Sequence, residues 1–363
     1  MQDETKLIYK SDCSHFKGYI PCKPHKEEGV HCYECNFYDS KDKIILIIKL
    51  GAIGDVIRTT PLIHKIKNEH PDSLIWWLTY TPDILPSIVD AKFKYDVESI
   101  TIFRATDFYK IINLDKDPQA GALTHLLTAK EKYGFTFVNG KPAPLNDFAK
   151  HKFLTGLFDD VSQMNRKSYL EEIFEICGWK FDGEEYILDC DQIDDWNIHN
   201  NGKKIIGLNT GCGERWVSRL WKNENWIDLI KILNENGYFP MLLGGSQEDK
   251  NNIYLSEQSG AYYPGHFSLK KFISLVNKCD LVVSAVTMAM HIAIGLKKPL
   301  VLMNNIFNPY EFELYGRGEI IQPEKECKCY FSPNCKNPDY FCMDYIKPIT
   351  IFNSINKILS DQD

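Results

Sequence analysis

Residues 44–61 have the sequence IILIIKLGAIGDVIRTTP. The β-branched run over residues 44–48 has no polar face, which predicts a buried strand of a parallel sheet. Gly51 and Gly54, followed by Asp55, predict a turn from this strand into a helix. Such a turn lets a ligand approach the backbone closely, and the free N–H groups of the helix favour a phosphate or a carboxylate.

Two interpretations of this turn stay open. Asp55 is either an acid held at a ligand crevice or an N-cap residue of a helix whose glycines serve tight turning alone. The spacing Gly-x-x-Gly-Asp lacks the third glycine of GxGxxG. A nicotinamide enzyme is therefore not favoured.

Length and composition indicate a globular protein with two domains of ordinary size plus an extension. The chain has 363 residues, of which 44% are hydrophobic and 25% charged. A net charge of -7 argues against nucleic acid as a partner, because binding phosphates needs a basic surface. The first ten residues lack the apolar core of a signal peptide, and no apolar run reaches the roughly 20 residues of a membrane span. We therefore expect a cytoplasmic protein with no transmembrane segment.

Twelve cysteines are present, and in a reducing compartment metal ligation or burial is expected before disulfides. Two groups lie near the ends of the chain, and each is predicted to bind a structural metal: Cys13, Cys22, Cys32 and Cys35, and then Cys327, Cys329, Cys335 and Cys342. Zinc is the default ion, and iron bound by four thiolates is the alternative. Free surface thiols, one metal at each group, and ligands shared between the termini all stay open.

From residue 44 onwards, segments of strand and helix character alternate. The predicted strands are 44–48, 74–78, 111–114, 204–208, 239–243, 281–284 and 300–303. The predicted helices are 60–70, 123–130, 168–177, 226–234, 247–257, 272–277 and 288–296, and residues 135–148 are predicted to be loop. This alternation predicts an α/β protein of GT-B type, with two Rossmann-like doubly wound domains and a ligand crevice at the carboxyl ends of their strands.

Four segments are predicted, with a polar boundary over residues 181–201 between the two sheets. They are a cysteine-rich metal-binding extension (1–42), a first Rossmann-like domain (43–185), a second Rossmann-like domain (200–325) and a cysteine-containing tail (326–363).

Four motifs in this order resemble glycosyltransferase family 9, the ADP-heptose:lipopolysaccharide heptosyltransferases and their relatives: IIKLGAIGDVIRTTP, LNTGCGERWVSRLWKNENW, LLGGSQED and SAVTMAMHIAIGLKKPLVLMN. The resemblance covers most of residues 44–342. It implies that residues 43–185 form the acceptor-side domain and residues 200–325 the nucleotide-sugar domain. It implies inverting transfer of a heptose or related sugar from an ADP-linked donor to a saccharide or protein acceptor. Some members that modify bacterial autotransporter adhesins carry a cysteine-ligated iron, which gives iron equal standing with zinc in the tail. The implied processes are lipopolysaccharide biosynthesis and protein glycosylation.

The resemblance also implies roles for individual residues. Asp55 matches the general base that takes the proton of the acceptor hydroxyl. Arg219 stands where the family usually has Lys and would neutralise the leaving diphosphate, although without its motif a surface salt bridge is the simpler interpretation. The other matching positions are implied to bind the donor: Thr210, Gly211, Gly213, Glu248, Thr287 and His291.

The sequence departs from the family's DTGxxH run, because Val286 and Met288 replace its Asp and Gly. His291 of that run is either a ligand contact or a histidine of a buried helix. Asn304 and Asn305 follow a predicted strand, where their amides either reach sugar hydroxyls or cap the next helix.

A second class of function stays open, a metal-stapled module that binds nucleotide sugars or assembles with partners and has lost catalysis. The departures at Val286 and Met288 favour it, and the presence of Asp55 and Arg219 opposes it. A zinc-based nucleic-acid binder conflicts with the acidic charge. For the transferase, no catalytic magnesium is expected, since side chains and helix dipoles can hold the diphosphate. The oligomeric state, a homo-oligomer included, is not fixed by the sequence.

Overall fold

The computed structural model describes residues 8–190, 196–213 and 215–361. Residues 1–7 of the predicted extension and 191–195 of the predicted boundary lie outside this description, as does position 214. The chain divides into two compact units. Unit 1 comprises Met1–Leu50, Leu62–Asp83 and Ser87–Ala149, and unit 2 comprises Gly51–Pro61, Ile84–Pro86 and Lys150–Asp363. The four predicted segments stay a prediction, and the two units are described separately below.

Strands and helices alternate through both units. The strands are β1 (Lys43–Ile48), β2 (Ser73–Thr79), β3 (Ala91–Lys94), β4 (Phe108–Asn113), β5 (Ala129–Val138), β6 (Lys141–Pro144), β7 (Ile205–Asn209), β8 (Phe239–Leu243), β9 (Leu281–Ala285), β10 (Leu300–Met303) and β11 (Gly318–Ile321). The helices are α1 (Lys23–Glu28), α2 (Ile53–Ile57), α3 (Leu62–Glu69), α4 (Val97–Arg104), α5 (Pro118–Leu126), α6 (Lys150–Thr155), α7 (Asp159–Met164), α8 (Tyr169–Ile176), α9 (Asn223–Glu235), α10 (Asp249–Ser259), α11 (Leu269–Asn277), α12 (Met288–Gly295) and α13 (Pro348–Ser360).

Unit 1 is built on a six-stranded sheet in the order β3-β2-β1-β4-β5-β6. β1 lies inside the sheet and pairs in parallel with both β2 and β4. Residues 45–48 of β1 are fully buried, as expected for a strand covered on both faces. The buried parallel strand predicted from the β-branched run is confirmed.

The far edge of this sheet differs from the prediction. Helix α5 ends at Leu126, and β5 already begins at Ala129, so the predicted helix over 123–130 is wrong at its end. The loop predicted over 135–148 is also wrong, because β5 turns back into β6 as an antiparallel pair. The prolines that suggested a loop, Pro142 and Pro144, lie in the edge strand, where a strand has one partner and a missing N–H is tolerated.

Unit 2 contains a five-stranded parallel sheet in the order β11-β10-β9-β7-β8. The strand order reverses beside β7, whose neighbours are β8 and β9. In open α/β sheets, the crevice at the carboxyl ends of the strands next to such a reversal is the usual ligand site. The α/β class with two parallel sheets is confirmed.

A C-terminal helix was missed by the sequence analysis, which described residues 326–363 only as a tail. Helix α13 buries Ile351, Phe352, Ile355 and further residues of one face in the core of unit 2, together with α9. The segment just before α13 is held by Trp221, because the indole N–H of Trp221 donates to the carbonyl of Ile346 at 3.0 Å. The tail is therefore part of the hydrophobic core of unit 2.

None of the twelve cysteines, all of which lie in the described ranges, forms a disulfide. Over the described ranges, the structure contains no helix with both the length and the apolar character needed to cross a membrane.

Candidate functional site

Unit 2 contains a cavity of about 750 Å³ beside the ends of β7 and β8. Its size lies within the usual range for small-molecule pockets. Four residues predicted to bind a donor line it, namely Thr210, Gly211, Gly213 and Glu248. The sequence analysis missed other lining residues: Trp221, Lys222, Phe341 and Asp344. Lys222 supplies a cation to the wall, and Phe341 and Asp344 come from the C-terminal tail.

The loop after β7 approaches Glu248 so closely that any side chain at position 211 would displace the Glu248 side chain. A Cβ there would lie 2.1 Å from Oε1 of Glu248. The other carboxylate oxygen, Oε2, accepts a hydrogen bond from the backbone N–H of Gly245 at 2.8 Å. The loop at Gly245 thus holds the carboxylate of Glu248 at the pocket edge by a hydrogen bond, and the loop at Gly211 leaves space for it.

Thr210 has a structural partner. Its hydroxyl donates to Oδ1 of buried Asn252 at 2.5 Å, and the amide of Asn252 donates to the carbonyl of Leu243 at 3.3 Å. The two residues fasten the loop after β7 to the end of β8. Asn252, in the middle of α10, was not singled out from the sequence.

Thr287 lies at the strand-order reversal, immediately before α12. The amide of Asn209 donates to the Thr287 hydroxyl at 3.3 Å and to the carbonyl of Gly211 at 3.0 Å. The loops after β7 and β9 are therefore tied together through one buried asparagine, which places Thr287 next to the pocket loop.

Arg219 is buried and binds backbone. Its guanidinium donates to the carbonyl of Val286 and, at 2.9 Å, to the carbonyl of Cys212. Burial lowers the pKa of Arg219 to about 10. The side chain joins the same two loops that Asn209 ties together, and it lies behind the residues that line the cavity. Its contact with a leaving diphosphate stays a prediction.

Asp55 lies in α2, within unit 2. One carboxylate oxygen, Oδ2, accepts from the backbone N–H of Ala52 at 3.1 Å, so Asp55 caps the helix from its third position rather than as the N-cap. The other oxygen, Oδ1, forms a 2.8 Å ion pair with Arg58. About a third of the side chain, 33%, stays exposed.

Arg58 connects Asp55 to a second carboxylate. Its other terminal nitrogen lies 2.9 Å from Oε1 of Glu311, and the guanidinium stacks 3.4 Å from the ring centre of Tyr169. Burial alone would lower the pKa of Arg58, but Asp55, Tyr169 and Glu311 hold it above its usual value. Sequence reasoning missed Arg58, although its position three residues after Asp55 on a helix was a usable signal.

His291 is packed beside this cluster in the buried helix α12. A Cβ on Gly54 would lie 2.6 Å from Cδ2 of His291, so the glycine makes room for the imidazole. Burial, with Arg58 nearby, lowers the pKa of His291 to about 3. Its Nδ1 has no hydrogen-bond partner among the described residues. This is the packing of a core histidine, and its role in donor binding stays a prediction.

The predicted amide contacts to sugar lie at loop junctions. Asn304 is buried, and its side chain both donates to the carbonyl and accepts from the N–H of Phe307. Asn305 donates to the carbonyl of Ser218 at 2.8 Å and contacts Sγ of Cys342 at 3.3 Å. Gly51 lies just before α2 and is assigned to unit 2 with Asp55. Sugar or phosphate contacts by these three residues stay predictions.

The two cysteine groups fit a metal ion only in part. All four N-terminal cysteines line one small cavity of unit 1. In the tail, Sγ of Cys329 and Cys335 lie 3.7 Å apart, close to the ~3.8 Å expected between two thiolates around a tetrahedral ion bound at ~2.3 Å. Nowhere in the described chain, however, do three or more His, Cys, Asp or Glu side chains stand together as a group able to hold a metal. The cysteines are gathered, but a complete ligand shell is not formed.

The part of the chain that supplies most of the cavity wall is similar to a known protein family. Residues 180–340 match the model of glycosyltransferase family 9 (heptosyltransferase). The match spans less than half of the 363-residue chain and marks this stretch as similar to glycosyltransferase family 9. The chain is accordingly a glycosyltransferase, as its motifs predicted. No match is found among curated proteins.

Solved structures share the fold of this glycosyltransferase at low sequence identity. The family 9 glycosyl transferase from Veillonella parvula DSM 2008 is 16% identical, with a TM-score of 0.65 over 88% of this chain and 98% of that one. The Escherichia coli ADP-heptose lps heptosyltransferase II is 15% identical, with a TM-score of 0.64 over 88% and 99%. The iron-containing dodecameric glycosyltransferase TibC from enterotoxigenic E. coli H10407 is 14% identical, with a TM-score of 0.55 over 89% and 78%.

Proposed function

We propose that the protein is an inverting glycosyltransferase that moves a heptose, or a related sugar, from an ADP-activated donor to a saccharide or protein acceptor. The observation that carries this proposal is the cavity of about 750 Å³ beside the strand-order reversal of the unit 2 sheet. Most of its lining residues lie in the stretch that matches the family 9 model. Solved relatives point to the donor. E. coli heptosyltransferase WaaC has been solved with ADP, and TibC in complex with ADP-D-beta-D-heptose.

In the proposed reaction, Asp55 takes the proton of the acceptor hydroxyl. The acceptor oxygen forms a bond to C1 of the sugar from the face opposite the leaving group, and the bond from C1 to the diphosphate breaks, so ADP departs with the electron pair. The exposed part of the Asp55 carboxylate supports this role, because a base must reach its proton.

The pocket wall supports retention of the leaving diphosphate. Lys222 lines the cavity, and Arg219 carries a second cation behind it. Positive charge at this place would stabilise the charge that develops on the diphosphate. The proposal includes no catalytic magnesium. Loss of transfer in EDTA, with any structural metal shown to be retained, would contradict that part.

Structural zinc or iron at the cysteine groups is also proposed. The cavity shared by the N-terminal thiols and the Cys329–Cys335 spacing support it, and TibC is an iron-containing relative. Bound metal would tether the N-terminal segment and reinforce the packing of the tail, since metal binding is coupled to folding. Elemental analysis of the purified protein, alongside Cys32→Ser and Cys335→Ser variants, tests the two groups separately. A metal-free wild-type protein that is fully folded would overturn this part.

The donor is tested by thermal-shift titration with ADP-heptose, ADP-glucose, UDP-glucose and GDP-mannose. A ligand that binds only the folded protein raises Tm by mass action. At a ligand concentration one hundred times Kd, the free energy of unfolding rises by about 2.7 kcal/mol. We expect a shift confined to the ADP-sugars. The Asp55→Asn variant should keep that shift but lose sugar transfer, because the variant side chain fits the same space and cannot act as a base.

Each outcome decides between the two classes of function. A shift with ADP-sugars together with transfer that Asp55→Asn abolishes supports the proposal. A shift without any transfer to saccharide or protein acceptors would instead support a nucleotide-sugar-binding module. Absence of a shift with all four donors would overturn the choice of donor.

A further inference from the structure

We propose that Arg58 positions Asp55 for proton removal, and that Glu311, on the other side of the same guanidinium, sets how strongly Asp55 holds a proton. The inference rests on the proposed function, because it takes Asp55 as the base. Arg58 and Glu311 are assigned as positioning residues that act through Asp55.

The geometry is that of one cation, with a side chain that is 14% exposed, shared by two carboxylates. Separate terminal nitrogens of Arg58 meet Oδ1 of Asp55 at 2.8 Å and Oε1 of Glu311 at 2.9 Å. The guanidinium is a planar fork with fixed donor directions, so binding at one side restricts its orientation at the other. Tyr169 covers a face of the fork at 3.4 Å from its ring centre, which removes a further freedom of movement.

This arrangement fixes the carboxylate of Asp55 at both of its oxygens. Arg58 holds Oδ1, and the backbone N–H of Ala52 holds Oδ2. A general base must be both ionised and aimed at the proton it removes, and misplacement by about 1 Å can cost roughly a hundredfold in rate. Arg58 serves both needs, because its charge favours the ionised form and its contact fixes the plane of the carboxylate.

An arginine that bound Asp55 alone would also weaken it as a base. A neighbouring cation commonly lowers the pKa of a carboxyl group by about 1–3 units. Glu311 opposes this effect, because it neutralises part of the positive charge that Asp55 experiences. Removing Arg58 and removing the charge of Glu311 should therefore change the proton affinity of Asp55 in opposite directions.

The other ionisable groups around the cluster do not compete for this assignment. Burial lowers the pKa of His291 to about 3 and raises that of Tyr186 above its usual value, so both stay neutral near neutral pH. Tyr169 stacks on the guanidinium, and Glu313 adds a carboxylate on the side of Tyr186. The acidic limb of a rate profile is thus assigned to Asp55.

The experiment measures kcat/KM for sugar transfer against pH in the full-length protein and three variants. We expect Arg58→Gln to lower kcat by about a hundredfold and to move the acidic limb up by about one pH unit or more. Glu311→Gln should move the limb down, since Asp55 then faces the cation alone. Arg58→Lys, which keeps the charge and loses the fork, should return the limb towards the wild-type position with only part of the rate.

Arg166→Gln is the matched control. Arg166 also stacks on a tyrosine of unit 2, with its guanidinium 4.6 Å from the ring centre of Tyr310, but it is exposed and donates to backbone carbonyls. This variant should leave both the rate and the acidic limb unchanged. If Arg58→Gln fails to fold because it leaves Glu311 unpaired, Arg58→Lys and Glu311→Gln still decide the matter.

Failure of this inference is distinguishable from failure of the proposed function. If Asp55→Asn is inactive while Glu311→Gln and Arg58→Lys both keep the wild-type limb, the positioning role is wrong and the proposed function stands. Limbs that move in the same direction in Arg58→Gln and Glu311→Gln would also overturn it. If Asp55→Asn transfers sugar at the wild-type rate, both fall together.

Discussion

Two glycines, Gly54 and Gly211, each follow the end of a buried strand. Each is approached closely by one side chain from a distant part of the sequence, which a Cβ at the glycine would meet. At Gly54 the neighbour is His291, a buried imidazole in α12. At Gly211 the neighbour is Glu248, a carboxylate at the edge of the cavity. The same sequence feature thus makes room for core packing in one place and for a pocket side chain in the other. A glycine after a strand does not by itself identify a ligand site.

The largest difference between the two turns should be seen in the pH dependence of stability. His291 has a folded pKa of about 3 against an unfolded value of 6.5, so below pH 6.5 the unfolded chain binds the extra proton. Stability should fall on acidification from pH 6.5 towards 3, by about 1.4 kcal/mol per pH unit from this group. Urea unfolding at pH 4.5–6.5 should show a shallower fall in His291→Leu. Equal slopes would show that the imidazole is not buried neutral.

Gly54→Ala should destabilise the protein by about 1–2 kcal/mol. Overpacking against His291 typically costs about 1–3 kcal/mol, and the gain in helix propensity returns up to about 1 kcal/mol. A smaller side chain at position 291 removes the clash, so the loss should largely disappear in the Gly54→Ala, His291→Ala double variant when it is compared with His291→Ala. Additive losses in that cycle would contradict the packing explanation.

Gly211→Ala should have the smallest effect on stability, below about 1 kcal/mol, because the new Cβ meets only the flexible side chain of Glu248, which can rotate away as a whole. Moving it breaks the Gly245 contact and disturbs the pocket edge, so affinity for the ADP-sugar should fall by about tenfold, which corresponds to about 1.4 kcal/mol. Gly245→Ala is the matched control, since its Cβ would lie 3.4 Å from Glu248, an ordinary contact. Equal affinity losses in the two variants would show that the clash between a Cβ at position 211 and Glu248 does not decide the affinity.

Local sequence patterns predicted the elements that have strong local signals. The β-branched run predicted β1, and the bounds of β8 and β10 are as predicted, because short buried strands bounded by glycine, proline or polar residues have few alternatives. The edge hairpin of β5 and β6 was missed because Pro and Asn indicate loops unless the edge position of the strand is known. Helix α13 was missed because the segment was classified by its cysteines, although an apolar face with helical spacing begins at Ile351.

The candidate site was predicted in part. Motif resemblance identified Thr210, Gly211, Gly213 and Glu248, which line one cavity. It did not identify Phe341 or Asp344, because their approach to the pocket depends on how the tail packs on unit 2. The pairing of Glu311 with Arg58 across 253 positions leaves no trace in the local sequence pattern.

The edge strands of unit 1 have a consequence for how the protein behaves at high concentration. β6 carries Pro142 and Pro144, which have no N–H to offer, and the opposite edge, β3, is four residues long with lysines at 92 and 94. Such edges are poor templates for a further strand from another molecule. Both edges of the folded sheet of unit 1 therefore resist edge-to-edge aggregation.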